Sequence, residues 1–242
     1  ADGSRKGARL YFEQNNGAAL LKLPRPLSPA YHLQFSEALS NFALHCVRPI
    51  VEAHKGKVLY AGGDDVLAMV PASEAIDCAD ALQRAFRGEA PNRNDYNLTQ
   101  IAPGFLARTD RLSDQGKPIP FIVPGPACTA SVGIAIAHAN SPLQDAIREA
   151  HAAEKRAKKL SSEKHALALT VLKRSGEITE WACRFGRNDE HPDSPAHRNG
   201  VRALRLLAHC LSEEILSTKF PHRLIDLLEP YLPAKQHDPV PA

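Results

Sequence analysis

A chain of 242 residues has room for one sizeable domain and an annex, and its 43% apolar and 24% charged content is that of a globular protein, neither disordered nor fibrous. A net charge of +3 over this length is too small to mark a nucleic-acid binder by itself. The five cysteines are scattered without a CxxC pair, no apolar run nears the ~20 residues of a membrane span, and the N-terminus has no signal-peptide core. Buried thiols in a reducing cytoplasm, with no membrane partner, are the expectation.

The chain opens on Ala1-Asp2-Gly3 without Met and reads as cut from something longer. Up to Pro29 it mixes Gly, Asn, Lys and Pro with little period. From Gln34 to Ala53, Phe35, Leu39, Phe42, Cys46, Val47 and Ile50 recur at three- and four-residue steps, predicting an amphipathic helix preceded by Ser28-Pro29. After Gly56, residues 57–61 and 66–70 read as two strands separated only by Gly62-Gly63-Asp64-Asp65, a hairpin with carboxylates at its tip. Ser73 is the expected N-cap of a helix running through Ala75, Cys78, Leu82 and Phe86.

Residues 87–126, rich in Pro, Gly, Asn and Asp, read as an inserted loop with one apolar patch at 119–123. A strand around Val132, Ile134 and Ile136 follows, then a helix over 142–160, then a buried strand over 165–172. These elements predict one sheet packed on one side by helices. A Gly/Asp/Pro-rich linker near 184–199 leads to two helical stripes, Val201 to Ile215 and Leu224 to Tyr231. The expected division is therefore a domain over 1–180, a helical domain over 197–232 and a tail over 233–242.

In the acidic turn, two glycines allow the positive φ of a tight hairpin, so the two following carboxylates project together from the sheet rim. Asp64 and Asp65 repel each other unless a cation compensates them, and hard oxygen ligands suit Mg²⁺ with a triphosphate. An isolated Gly-Gly-Asp-Asp could equally be a solvated turn. Its setting between two apolar strands flanked by helices favours the metal reading. A two-metal site needs a further carboxylate, for which Asp2 is the candidate, although no strand that would carry it is evident ahead of the first helix.

Tyr60-Ala61-Gly62-Gly63-Asp64-Asp65-Val66-Leu67-Ala68, with Ser28-Pro29-Ala30-Tyr31-His32 before it, resembles the large palm subunit of type III CRISPR-Cas effectors, particularly the Cmr branch. The resemblance extends through residues 36–43, 130–138, Ala157-Lys158 and Leu172-Lys173-Arg174-Ser175-Gly176. It departs where the family's palm opens on an Asp-x-Asp pair, since Ala1-Asp2-Gly3-Ser4 keeps only the first acid. Family members also carry an upstream HD nuclease domain and a first palm, so this chain would be the second palm and the C-terminal helical domain.

The fold this implies is α/β (α+β): a ferredoxin-like βαββαβ palm of nucleotidyl cyclase and polymerase type with a C-terminal helical domain. The activity implied is the joining of ATP into cyclic oligoadenylates with Mg²⁺ or Mn²⁺, as part of antiviral defence. Asp64 and Asp65 would be catalytic and, with Asp2, would hold the metals; Gly62, Gly63, Ser131 and Lys158 would contact the nucleotide. The partners implied are other Cmr-type subunits and, through them, guide RNA and target RNA. Two alternatives stand beside this: an ATP-binding scaffold module without catalysis, and a GGDEF-type cyclic dinucleotide synthase, whose turn would carry Glu and Phe where Asp65 and Val66 stand.

Overall fold

The computed structural model describes residues 28–160, 164–185 and 200–217, with a few isolated positions as far as 227. The chain divides into two compact units, Ala1–Phe185 and Gly186–Ala242. In the first, a long helical rod comprises α1 (Pro29–Asn41), a π-helical segment (Phe42–Val47) and α2 (Arg48–Ala53). It starts earlier than the apolar period indicates, because Ser28 caps it by accepting the Tyr31 N–H at 3.2 Å and Pro29 is the first helical residue. Its first turns are largely exposed, so periodicity does not reveal them. Pro49, which has no N–H to give, is the second residue beyond the π segment.

The hairpin comprises β1 (Lys57–Gly62) and β2 (Asp65–Met69) and leads through a 3₁₀ turn, Ala72–Glu74, into α3 (Ala75–Phe86). Ser73 therefore lies inside that turn and does not cap α3, whose first residue follows Glu74. The helical rod and α3 share one core of Phe42, Cys46, Val47, Ile50 and Val51 with Cys78, Ala81, Ala85 and Phe86. Phe42 meets Phe86 edge to face with ring centroids 5.1 Å apart.

Residues 87–126 hold more structure than the loop expected from sequence. They form an antiparallel meander of β3 (Leu98–Ala102), β4 (Phe105–Leu112) and β5 (Pro118–Ile122). Thr99, Gln100, Arg108, Thr109, Asp110 and Arg111 break the alternation by which strands are recognised. The meander is anchored by Leu98, Leu106 and Val123 in the shared core. Tyr96, just ahead of it, bonds through its hydroxyl to His54 Nε2 at 2.8 Å, and His54 Nδ1 meets Glu74 at 2.9 Å. This buried relay joins the end of the rod, the turn after β2 and the start of the insertion.

The third sheet comprises β6 (Val132–Ile136), β7 (Ala166–Leu172) and β8 (Ile178–Arg184), with β6 parallel to β7 and β8 antiparallel to it. Strand β8 was not anticipated; it closes a hairpin whose turn runs from Lys173 to Glu177. Helix α4 (Leu143–Leu160) crosses between β6 and β7. The one continuous sheet expected from sequence is, among the described residues, three ladders of two, three and three strands. No described strand pairs with both β2 and β6. Gln83 of α3 links the layers, accepting the Ala130 N–H at 3.1 Å and bonding His165.

Helix α4 sits unusually close to its sheet. A Cβ added to Gly133 would lie 2.3 Å from both the Ala150 carbonyl oxygen and the Glu154 nitrogen. Ala153 and Ala157 of the helix pack on Ala166 and Ala168 of β7, all four fully buried. In the second unit α5 (Gly200–Ser212) realises the first helical stripe as far as Leu211, with Ile215 beyond its end, while most of the stripe from Leu224 to Tyr231 lies outside the described residues. No described helix is long and apolar enough to cross a membrane. All five cysteines are free thiols, and burial pushes those of Cys46, Cys78 and Cys183 up to about 12.

Two outcomes follow from these contacts. Gly133→Ala forces backbone off backbone and should destabilise the protein by about 1–3 kcal/mol in chemical denaturation. The His54 hydrogen bond, aided by the Lys55 and His54 charges, holds the Glu74 carboxyl below its usual range. Its contribution is therefore complete above the unfolded value of about 4.3 and fades as pH falls through the depressed folded value. The gap in melting temperature between wild type and Glu74→Gln should be constant near neutrality and close below about pH 4.

Candidate functional site

The hairpin presents two unlike faces. Val58 and Ala61 of β1 and Val66 and Ala68 of β2 pack against the helical core. Their register pairs Val58 with Ala68, Ala61 with Val66, Tyr60 with Leu67 and Gly62 with Asp65. Cross-strand partners share a face, so Tyr60, Gly62, Asp65 and Leu67 stand on the side away from the helices. This depends on a β-bulge: between Val58 and Tyr60 the chain advances two residues while β2 advances one, leaving Leu59 unpaired and 43% exposed. Strict alternation would put Tyr60 and Gly62 on the same side as Val58.

At the tip the turn is shorter than the four-residue reading. Gly62 and Asp65 are already paired, leaving Gly63 and Asp64 as its two central residues. Only Gly63 of the two glycines has a positive φ, +62°, and Asp64 does not, which is the pattern of a type II′ turn with Gly at its first central position. Asp64 thus sits on the turn and Asp65 on the first residue of β2. Both are exposed, and no hydrogen bond or salt bridge to another described residue engages either carboxylate.

Lys158, in the last turn of α4, belongs to the same electrostatic neighbourhood. Its ammonium is held above the usual lysine range by its hydrogen bond to Glu154, with the charges of Glu154, Asp65 and Asp64 adding to the effect. The Lys158 Nζ to Glu154 Oε1 distance is 2.5 Å, and both side chains are partly open to solvent. The helix C-terminus also favours a cation there. Glu154 escaped the sequence reading, although its i,i+4 spacing from Lys158 was the available signal. Its backbone, with the Ala150 carbonyl, lies against Gly133.

The other residues singled out from sequence are differently placed. Ser131 immediately precedes β6, and its hydroxyl donates to the Lys164 carbonyl at 2.9 Å, closing the start of β6 onto the segment before β7. Asp2 lies outside the described residues. Among the described residues no His, Cys, Asp or Glu joins Asp64 and Asp65 in a cluster of three. Two adjacent, unengaged carboxylates nevertheless suit Mg²⁺ or Mn²⁺, since Mg²⁺ in triphosphate sites commonly takes one or two protein carboxylates and completes its shell with phosphate oxygens and water. The neighbouring Lys158 suits a phosphate.

Residues 13–168 match the family described as Cas10/Cmr2, second palm domain. The CRISPR system Cmr subunit Cmr2 of Pyrococcus furiosus is 31% identical over 191 residues, which is 77% of this chain and 18% of that protein. The CRISPR system CMR subunit Cmr2 of Saccharolobus solfataricus is 43% identical over 67 residues, 28% of this chain and 6% of that protein. The aligned part is thus less than a fifth of either relative's length. A chain in a cryo-EM structure of type III-B Cmr-beta in the apo state superposes with a TM-score of 0.57 at 21% identity, over 96% of this chain and 22% of that one. At that identity the likeness speaks for the palm fold alone.

The two glycines of the turn should respond differently to alanine. Gly63→Ala places a Cβ at positive φ and should cost about 1–2 kcal/mol in urea unfolding. At Gly62 an added Cβ meets chiefly the Tyr60 hydroxyl, 2.7 Å away on an exposed side chain that can swing aside. Gly62→Ala should cost less than about 1 kcal/mol.

Proposed function

The chain belongs to the Cas10/Cmr2 second palm domain family, and on that premise we propose that it binds ATP through a divalent metal ion at Asp64 and Asp65 and serves in joining ATP into cyclic oligoadenylates. The observation that carries this reading is the pair of exposed, unengaged carboxylates on the hairpin face away from the core, with the Lys158 ammonium in their field. Such a triad suits a polyanion that arrives with its own metal.

The reaction proposed is attack of a ribose 3′-hydroxyl on the α-phosphate of a second ATP, with pyrophosphate leaving. Mg²⁺ or Mn²⁺ held at the turn would supply activation of the attacking oxygen and charge neutralisation at the leaving group. Asp64 and Asp65 fix the metal at the rim, and their exposure leaves space for phosphate oxygens. Lys158 exchanges its bond to Glu154 for one to phosphate, placing positive charge where negative charge accumulates. Gly63, having no side chain, leaves the turn's backbone open on the approach side, where nothing lies within 4 Å of an added Cβ.

The relatives' names identify them as Cmr subunits, which supports assembly of this protein with other Cmr-type subunits and, through them, with guide RNA and target RNA. A second reading, nucleotide binding without turnover, is favoured by one observation: no third carboxylate gathers with the aspartates among the described residues.

Both readings meet in one experiment. The full-length protein, assembled with its guide and target RNA, is incubated with labelled ATP and Mg²⁺ or Mn²⁺, and both bound nucleotide and oligoadenylate product are measured. Asp64→Ala with Asp65→Ala should lower product by at least about 100-fold. Metal-dependent binding without product selects the second reading, and undiminished product from the double variant defeats the first.

A further inference from the structure

We propose that Tyr60 is the ribose-positioning residue of the nucleotide site, an inference that rests on the reading of the acidic turn as a metal–nucleotide site. The bulge at Leu59 places Tyr60 on the same face of the hairpin as Gly62 and Asp65. Its ring leans along the strand toward the tip: from an ideal Gly62 Cβ the hydroxyl oxygen is 2.7 Å, Cζ 3.1 Å and Cε1 3.7 Å away. The hydroxyl end is therefore the end nearest the turn. Gly62 is the direct cross-strand partner of Asp65, so the hydroxyl stands within about one strand pair, some 4.5–5.5 Å between α-carbons, of the carboxylate-bearing residue.

Tyr60 is otherwise without employment. It is 57% exposed, no hydrogen bond to another described residue uses its hydroxyl, and it contributes nothing to the hydrophobic core. A large aromatic ring left open on a sheet face beside a polar tip has an apolar body and a polar handle, the combination suited to a partly apolar, partly hydroxylated ligand.

The order of groups along a nucleoside triphosphate decides which part it meets. Carboxylates at the turn hold the metal, the metal holds phosphate oxygens, and the sugar is the next group beyond the α-phosphate. A hydroxyl one residue pair from the metal-binding turn is placed for the sugar, with the base one group further along. Tyr60 thus offers its ring to the C–H face of the ribose and its hydroxyl to a ribose hydroxyl. That contact distinguishes a ribonucleotide from a deoxynucleotide, because a site built to hydrogen-bond a substrate hydroxyl discriminates against an analogue lacking it.

The test compares wild type, Tyr60→Phe and Asp64→Ala in the full-length protein. Equilibrium binding of ATP, 2′-deoxy-ATP and 3′-deoxy-ATP is measured with Mn²⁺. Wild type should prefer ATP over at least one deoxy analogue, and Tyr60→Phe should bind ATP about threefold to tenfold more weakly while losing that preference. Tyr60→Phe should melt with the wild type, since its ring stays and its hydroxyl is exposed. If Tyr60→Phe keeps wild-type affinity and preference while Asp64→Ala loses metal-dependent binding, the role of Tyr60 is refuted and the nucleotide site stands. If Asp64→Ala binds ATP as wild type does, the site itself is elsewhere and the Tyr60 assignment falls with it.

Discussion

Burial of one face of a five-pair hairpin decides what the rest of the molecule offers to solvent. Val58, Ala61, Val66 and Ala68 must face the helical core, since each is small and apolar and lies over Phe42, Val47, Val51 and their neighbours. Once they do, the pleat sends Tyr60, Gly62, Asp65 and Leu67 the other way. A one-residue slip of β2 would turn Asp65 toward the core, where a carboxylate without a partner is costly. The bulge at Leu59 reconciles two otherwise incompatible demands, Val58 inward and Ala61 inward, three residues apart on one strand. An odd spacing between two inward residues can be met in a strand only by an inserted residue.

A second constraint fixes the cation opposite the carboxylates. Helix α4 approaches β6 until backbone touches backbone at Gly133, and small alanines pack the helix onto β7, where Arg156 also donates to the Thr170 hydroxyl. Contact this close leaves little freedom for the helix to slide or rotate, so the position of its last turn follows from packing one to two turns earlier. Glu154 contributes to both functions, its backbone against Gly133 and its carboxylate on Lys158. The electrostatic arrangement at the tip is thereby tied to the packing of a helix whose sequence looks, on its polar side, like an ordinary charged surface.

The parts legible in the sequence are those governed by local rules. The rod, the hairpin, α3, α4, β6 and β7 follow from periodicity and punctuation, and the acidic turn from Gly and Asp between two apolar runs. What escaped depends on partners distant in sequence. The meander over residues 98–122 is stabilised by Leu98, Leu106 and Val123 reaching a core built elsewhere, while its own strands look polar. The His54 relay joins residues 20 and 42 positions apart. Tyr60 is hidden for a related reason: uninterrupted alternation counts it with Val58, and only the strand register shows a bulge reversing its side. The engagement of the Ser131 hydroxyl is invisible to local rules, because its acceptor, the Lys164 carbonyl, lies 33 positions along the chain.

The remaining question is whether the tip, as it stands, can receive a polyanion without rearranging the fold. Lys158 is already paired with Glu154, and a buried pair of that kind would resist exchange. Here the lysine side chain is 49% exposed and the glutamate 30%, so both remain hydrated and the pair contributes little net stability. Giving it up for a triphosphate therefore costs little, and Glu154, partly exposed, can return to water. The aspartates make no hydrogen bond or salt bridge to another described residue that must first be broken. The residues that would have to move are thus side chains on the solvent face, while the hairpin, the bulge and the Gly133 contact that place them stay fixed. The site is rigid in its backbone and loosely held at its charged ends, so that phosphates arriving as proposed would replace weak intramolecular pairing at small cost.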